Sequence, residues 1–449
     1  DQFEKFVSCL VFIPRELFST RVREQIQREF EDYFEAGEST FASFFLPESM
    51  LVRIYLLFPV STNASAEMSI SELEALVASI VANWNDDFAE VANREFGPHR
   101  GSALVRGFSQ AFSEAYKEHY TPQQALEDVY LLENLSADSS LGIGLRRPEV
   151  GDDLHLKLFH RSRPVALSDM IPVLENMGFR VLMERPYEIS QRDQDAIWVQ
   201  DFALQTNLNV SLNTDEISPY FSAALRSIWS GDAENDRFNR LVIAVGLDWR
   251  SVALFRLYAR YLKQLGVSYS QDFIANTLAE HHRICADLMR FFHALFDPKI
   301  AFELDHDGRA QEIKMGLMAQ LDKVVNVSQD NLLRAYVELI EATQRCNFYQ
   351  RCAAGEAKPY LSVKLATEQI ARAPKPRPER EIFVYSPRFE GVHLRGGKVS
   401  RGGLRWSDRL EDYRTEGLGL VKAQQVKNAV IVPTGAKGGF VAKQAILAA

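Results

Sequence analysis

Along the chain, apolar positions alternate between a two-residue and a three-to-four-residue period, and each switch marks a change of element. Phe6-Val7-Ser8-Cys9-Leu10-Val11-Phe12-Ile13 reads as a strand stopped by Pro14, after which Val22, Ile26, Phe30 and Phe34 line one helical face. Phe41 to Leu46 and Leu51 to Val60 return to strand, rich in aromatic and branched residues and bounded by Pro47 and Pro59. Leu73, Leu76, Val77 and Ile80 then share a helical face, and a helical pattern runs to about Leu135. Residues 1–140 are expected to form a small α+β unit with a helical extension.

The next stretch is sharper. Leu154, Leu156 and Leu158 alternate with polar residues, Ser168 is placed to cap a helix through Leu174, Gly178 to end it, and Phe179, Val181 and Met183 alternate again. With a further strand near Ile197 to Leu204, this βαβ pattern predicts a compact unit over residues 141–212. It resembles the ACT-type regulatory modules that bind amino acids between subunits; a βαβ unit that merely packs is the plainer alternative. Residues 213–350 read as almost wholly helical. In Asp248 to Leu265 the pattern sends Val252, Phe255, Leu262 and Leu265 inward and leaves Arg256, Arg260 and Lys263 outward, on a solvated basic face. Ala373-Pro374-Lys375-Pro376-Arg377-Pro378-Glu379 alternates three prolines, which favours an extended connection and marks a functional boundary at or just before it. The last domain is placed at 351–449. The fold class expected is multidomain α+β: small ACT-like units, a large helical region and an α/β domain at the end.

Composition narrows the function classes. A chain of 449 residues, 46% hydrophobic and 25% charged, buries several cores and is not a disordered tail. No apolar run approaches the roughly 18 residues of a membrane helix, so no membrane partner is expected. Cys9, Cys285, Cys346 and Cys352 are too few and too scattered for a disulfide framework, which points to a reducing, cytoplasmic setting. Asp1-Gln2-Phe3-Glu4-Lys5 has neither an initiator Met nor a secretory signature, and Lys443 to Ala449 reads as helix-forming sequence without a stop. The chain is therefore expected to be a piece of something longer.

Charge locates the chemistry. The chain carries a net charge of −9, yet residues 381–449 hold 11 Lys+Arg against six Asp+Glu. A cationic segment on an acidic protein argues for a small local anion, not for nucleic acid, which asks for a broader basic surface. Glycines gather in the same segment, at Gly396-Gly397, Gly402-Gly403 and Gly435-Ala436-Lys437-Gly438-Gly439. Gly391 to Gly396 has the spacing of a phosphate loop, but Gly397 stands where that loop requires Lys, and no G-x-G-x-x-G fingerprint is present. What remains is cations among glycines. A helix is expected from about Glu411 to Lys427, with Gln424 and Lys427 on one face. Ala429-Val430-Ile431-Val432 reads as a buried strand, and Gly435 to Gly439 as a loop from which a helix starts near Phe440. Lys437 is thus expected at a strand-to-helix turn, where neighbouring cations can prepare a lysine for proton transfer.

Ser400-Arg401-Gly402-Gly403-Leu404-Arg405-Trp406, Lys422-Ala423-Gln424-Gln425-Val426-Lys427-Asn428-Ala429 and Pro433-Thr434-Gly435-Ala436-Lys437-Gly438-Gly439 resemble, in this order, the substrate domain of glutamate dehydrogenases. Gly391 to Gly397 and Arg405-Trp406-Ser407-Asp408-Arg409 look like the large NAD-specific bacterial members. Cys9 to Arg15, Val173 to Gly178 and Gly246-Leu247-Asp248-Trp249-Arg250 extend the likeness over nearly the whole chain. The resemblance implies oxidative deamination of L-glutamate to 2-oxoglutarate and ammonia, with hydride passing to NAD. By it, Lys437 is the catalytic lysine, Lys427 grips the α-carboxylate, Gln424 contacts substrate, and Gly402 and Gly403 belong to the same substrate site. Arg401 stands where small members carry a lysine for the side-chain carboxylate; a guanidinium holds a carboxylate through two parallel hydrogen bonds. The path from Lys427 to Lys437 is shorter than in the small enzymes. The resemblance also implies a homo-oligomer, and a catalytic Asp and an NAD-binding domain downstream of this segment, so the chain alone is expected to be inactive.

Two other readings accompany this one. Residues 1–350 could act as a region that senses amino acids or assembles subunits. His281, His282, Cys285 and His293 superficially suggest a metal site, but with no second Cys pair or acidic partner at ligand spacing they read as an ordinary helix face, and no metal is expected. Arg405, Arg409 and Arg414 are open to a reading as surface ion pairs, which are worth little.

Overall fold

The computed structural model describes residues 5–15, 17–45, 49–60, 69–81, 84–133, 141–147, 153–161, 163–191, 195–208, 210, 212–300, 306–427 and 434–443, with the side chains of 21, 306–307 and 424–427 outside that description. The chain forms two compact units, one of residues 1–137 with 187–198, the other of 138–186 with 199–449.

In the first unit, β1 (Phe6–Pro14), α1 (Thr20–Tyr33), β2 (Thr40–Phe45), β3 (Leu51–Pro59) and α2 (Ile70–Val81) build an antiparallel sheet of order β1-β3-β2. Strict alternation decides which face is covered: Val52, Ile54, Leu56 and Phe58 are fully buried against Ile26, Phe30 and Phe34 of the helical side. Each such side chain contributes about 1.5–3 kcal/mol. Ser19 caps α1 by accepting from the Val22 N–H at 3.2 Å. The helices α3 (Trp84–Phe108), α4 (Glu114–His119) and α5 (Pro122–Glu133) follow; Trp84 stacks on Phe88 and Phe112 on Tyr116, and the two pairs meet edge to face.

The second unit opens with β4 (Gly142–Arg146), β5 (Leu154–Arg161), α6 (Leu167–Asn176), β6 (Phe179–Ile189) and β7 (Ile197–Thr206), a sheet of order β4-β5-β7-β6. The expected β5-α6-β6 crossover is present, with β7 inserted between its two strands. Gly178, at φ +93°, ends the helical turn as predicted. Ser168 does not cap it: Ala166 holds the N-cap position without a side-chain bond, and the Ser168 hydroxyl turns to Asp169. The helices α7 (Thr214–Trp229), α8 (Arg240–Val245), α9 (Trp249–Gln264), α10 (Gln271–Glu280), α11 (His282–Phe296), α12 (His306–Leu321) and α13 (Val327–Ala342) confirm the helical stretch.

The basic face assigned to α9 is not a solvated one. Arg256 is buried, bonding Asp236 at 2.6 and 2.7 Å, and Arg260 donates to fully buried Glu390 at 2.7 Å. Their partners lie 20 and 130 residues away in sequence, beyond the reach of a local pattern.

The last sheet contains β8 (Thr343–Cys346), β9 (Leu361–Leu365), β10 (Arg380–Tyr385), β11 (Phe389–Arg395), β12 (Ser400–Arg401), β13 (Leu404–Trp406) and β14 (Thr434–Ala442), in the order β12-β14-β11-β10-β9-β8 with β13 also on β14. The helix α14 (Tyr413–Lys427) covers one face through Leu418 and Val421, close to the expected span. Mixed α+β architecture with ACT-like units and helical regions is thus the fold.

Candidate functional site

The glycine-rich cationic segment folds around β14. β11 pairs antiparallel with it on one edge, while β12 and then β13 pair parallel with it on the other. Lys437 therefore sits inside a strand, opposite Leu394, and not in a loop at a strand-to-helix turn; Phe440 continues the strand to Ala442 and starts no helix. The reason is hydrogen bonding on both edges, which the local pattern does not carry. The expected strand Ala429 to Val432 lies outside the described residues.

Close approach explains two of the glycines. A Cβ on Gly402 would stand 1.4 Å from the Ala436 carbonyl oxygen, and one on Gly438 would meet Leu404 at 2.3 Å and the Val392 carbonyl at 3.0 Å. Backbone contact across this seam is direct: the Gly438 N–H donates to the Gly403 carbonyl at 3.1 Å, and the Gly396 N–H to the Gly435 carbonyl at 3.0 Å. The Ser400 hydroxyl donates to the Gly397 carbonyl at 2.6 Å and lies 3.0 Å from Thr434 Oγ1, fixing the entry to β12.

Register then assigns faces. Arg401 lies opposite Gly435 and Arg405 opposite Gly439, so Arg401, Lys437 and Arg405 belong to one side of the ribbon. It is the side that α14 covers, since a Cβ on Gly439 would touch Tyr413. Ordinary strand spacing puts the Arg401 and Lys437 Cα positions roughly 8 Å apart.

Several cations here already have counter-charges. Arg405 pairs with Glu416 at 3.3 Å and Arg409 with Asp412, both on the surface. Arg414 departs from the surface reading, being fully buried against fully buried Glu381 at 2.5 and 2.9 Å. Lys443, just past β14, contacts Glu234 at 2.6 Å and Glu390 at 2.9 Å. Among the described residues, exposed Arg401 and half-buried Lys437 have no carboxylate or hydrogen-bond partner. Gln424 and Lys427 lie at the end of α14, with side chains outside the description.

Behind the strand runs a charge network that sequence reasoning missed. Glu381 also accepts from the Tyr261 hydroxyl at 2.8 Å, and Glu234 from the Tyr385 hydroxyl at 3.0 Å. Burial alone would raise the Glu234 carboxyl, but Lys443 and Arg256 outweigh it and hold it below its ordinary range. This network fixes β10, β11 and the end of β14 to α9. His393, paired with Gly438 and so on the ribbon's other side, is pushed down first by burial and then by Arg395. Its signal was the lone imidazole in Gly391-Val392-His393-Leu394-Arg395.

Comparison with known proteins agrees with this architecture. Residues 316–449 match a family model described as bacterial NAD-glutamate dehydrogenase, catalytic domain. Residues 1–85 and 140–217 match the glutamate dehydrogenase ACT2 and ACT3 domains, and 92–135 and 233–298 its helical motifs 2 and 3. These matches define the class: chains in which ACT domains and helical motifs precede a glutamate dehydrogenase catalytic domain. The NAD-specific glutamate dehydrogenases of Halomonas elongata, Pseudomonas aeruginosa and Mycobacterium tuberculosis are 46%, 42% and 38% identical to it over 99% of this chain. The chain spans 27–28% of those relatives' own length. The chain belongs to the family of bacterial NAD-specific glutamate dehydrogenases.

Proposed function

We propose that β12, β14 and α14 supply part of a glutamate-binding cleft in an NAD-dependent glutamate dehydrogenase. The observation that carries this reading is the pair Arg401 and Lys437, on one side of one ribbon and without counter-charge among the described residues, where Arg405, Arg409 and Arg414 have theirs. A dicarboxylate needs separated cations. Arg401 takes the side-chain carboxylate through its guanidinium fork, Lys427 takes the α-carboxylate, and Gln424 adds a hydrogen bond. Gly403, with nothing within 4 Å of where a side chain would stand, lets the backbone come close to the ligand, while Gly402 lets β12 come close to β14. Lys437 moves the proton at the substrate amine and activates the water that hydrolyses the imine to 2-oxoglutarate and ammonia.

NAD, when bound, accepts the hydride. The glycine strings lie in strands and the connections between them, and none opens a described helix, so the described residues form no dinucleotide cradle of that kind. We assign NAD and a catalytic Asp to residues outside 1–449 and derive no step through them.

Kinetics of the complete enzyme test the site. Lys437→Ala is expected to lower kcat by about 10²–10⁴ with little change in the KM for glutamate, while Arg401→Ala raises KM first. Full turnover by Lys437→Ala removes the lysine from its role.

The ACT-domain matches favour a second, compatible role for the region before about 350: amino-acid sensing and assembly of a homo-oligomer. The uncovered side of the first sheet, with Leu10, Phe12, Phe44 and Tyr55 exposed, offers apolar surface for assembly. The four free thiols support a reducing, cytoplasmic setting. Among the described residues no helix is long and apolar enough to cross a membrane.

A further inference from the structure

The two ACT-like sheets share one strand order, but only one carries a fourth strand among the described residues. In the second sheet, β5, β6 and β7 lie in the order β5-β7-β6, and β4, which precedes β5 in sequence, runs antiparallel along its outer edge. In the first, β1, β2 and β3 lie in the matching order β1-β3-β2, and no described strand lies beyond β1.

The helix that follows each sheet reports the difference. α7, after β7, packs on β4 and buries Phe221, Leu225 and Ile228. α2 follows β3 at the same point of the pattern. Its Ile70, Leu73, Val77 and Val81 form an apolar stripe at helical spacing, yet none of its residues is buried. The stripe borders a groove of about 630 Å³ whose other wall is β1, with Leu10 and Phe12.

Bonding direction leaves β1 open on that side. The Arg15 N–H donates to the Met50 carbonyl at 2.8 Å and the Val60 N–H to the Lys5 carbonyl at 3.0 Å, so the odd-numbered residues of β1 bond to β3. The N–H and carbonyl groups of Ser8, Leu10 and Phe12 therefore turn away from β3, toward the outer edge. A long apolar edge of this kind is a template for a further strand.

We propose that this groove seats a fourth strand, supplied by the part of the complete enzyme that precedes Asp1 and running antiparallel to β1 as β4 runs to β5. The chain spans 27–28% of its relatives' length, so most of a relative lies outside the matching stretch. The groove suits an extended segment about as long as β4, five residues, with apolar side chains at every second position, as Ile143 and Leu145 of β4 are apolar and buried. Main-chain bonds to Ser8, Leu10 and Phe12 hold such a segment, and the α2 stripe selects its side chains. The proposal is independent of the glutamate cleft.

Hydrogen exchange at single amides tests it, in the complete enzyme and in the same enzyme shortened to start at Asp1. The expected result is slow exchange at Ser8, Leu10 and Phe12 in the complete enzyme, unchanged on dilution, and exchange at least about a hundredfold faster in the shortened one. The Cys9 and Val11 amides, bonded to β3, are expected to stay slow in both and show that the sheet remains folded. Adding the removed segment back as a synthetic peptide is expected to restore the slow exchange. Should the shortened enzyme not fold, Leu10→Pro in the complete enzyme serves instead: it removes one outward donor, leaves the bonds to β3, and is expected to speed exchange at Ser8 and Phe12 but not at Val11. Fast exchange at the three amides in the complete enzyme overturns the proposal, as does slow exchange that survives removal of the residues before Asp1. Slow exchange lost on dilution overturns it too, by placing a second copy at β1, and so does Leu10→Pro without effect on Ser8 and Phe12.

Discussion

Gly402 and Gly403 are neighbours with opposite tolerances. The first has the Ala436 carbonyl where a side chain would go, and the second has nothing within 4 Å. Gly402→Ala is therefore expected to force β12 off β14 and to destabilise the fold by about 3 kcal/mol or more, whereas Gly403→Ala is tolerated. Thermal melting of the two variants checks this, and equal melting temperatures contradict the packing. Both glycines were legible as backbone that something approaches closely. What approaches Gly402 was not: it is the neighbouring strand, 34 residues further on. Arg256 failed in the sequence reading for a related reason, since its four-residue spacing to Arg260 looks like a surface stripe until Asp236 and Glu390 are folded against it.

Elements were read best where the period was clean. The alternation of β3 and the four-residue rhythm of Ile26, Phe30 and Phe34 each fixed an element and its buried face. β14 gave no such rhythm, because Gly435, Gly438 and Gly439 stand where apolar residues would announce a strand. Its strand character comes from two partners, β11 and the β12–β13 edge, that only the fold brings together. The network anchoring this sheet to α9 carries a pH signature through Glu234. Its carboxyl is held below the ordinary value of 4.5 on folding, so it contributes stability above that value and loses it as pH falls through the folded one. Melting temperatures of wild type and Glu234→Gln are expected to differ most near pH 6–7 and to draw together as pH falls below 4.5 through the lowered folded value. A difference unchanged down to pH 3 contradicts the ion pairing with Lys443 and Arg256.

At the scale of the whole molecule, the succession of small sheets and helical regions was visible from periodicity alone, and three motifs in order gave the family. The counter-charge of each cation was not visible. Sorting Arg401 and Lys437 from Arg405, Arg409 and Arg414 required coordinates, because each of the latter three has a carboxylate in reach. With NAD assigned to residues outside this chain, the purified 449-residue polypeptide is expected to produce no NADH from glutamate and NAD; measurable turnover contradicts that assignment.

The most direct measurement is a structure of the complete enzyme with 2-oxoglutarate bound. The account predicts the ligand on the α14 side of β14, with the Arg401 guanidinium and the Lys427 and Lys437 ammonium groups all within about 3 Å of its oxygens. A ligand bound elsewhere, or Lys427 and Lys437 projecting from opposite surfaces of the domain, would contradict it.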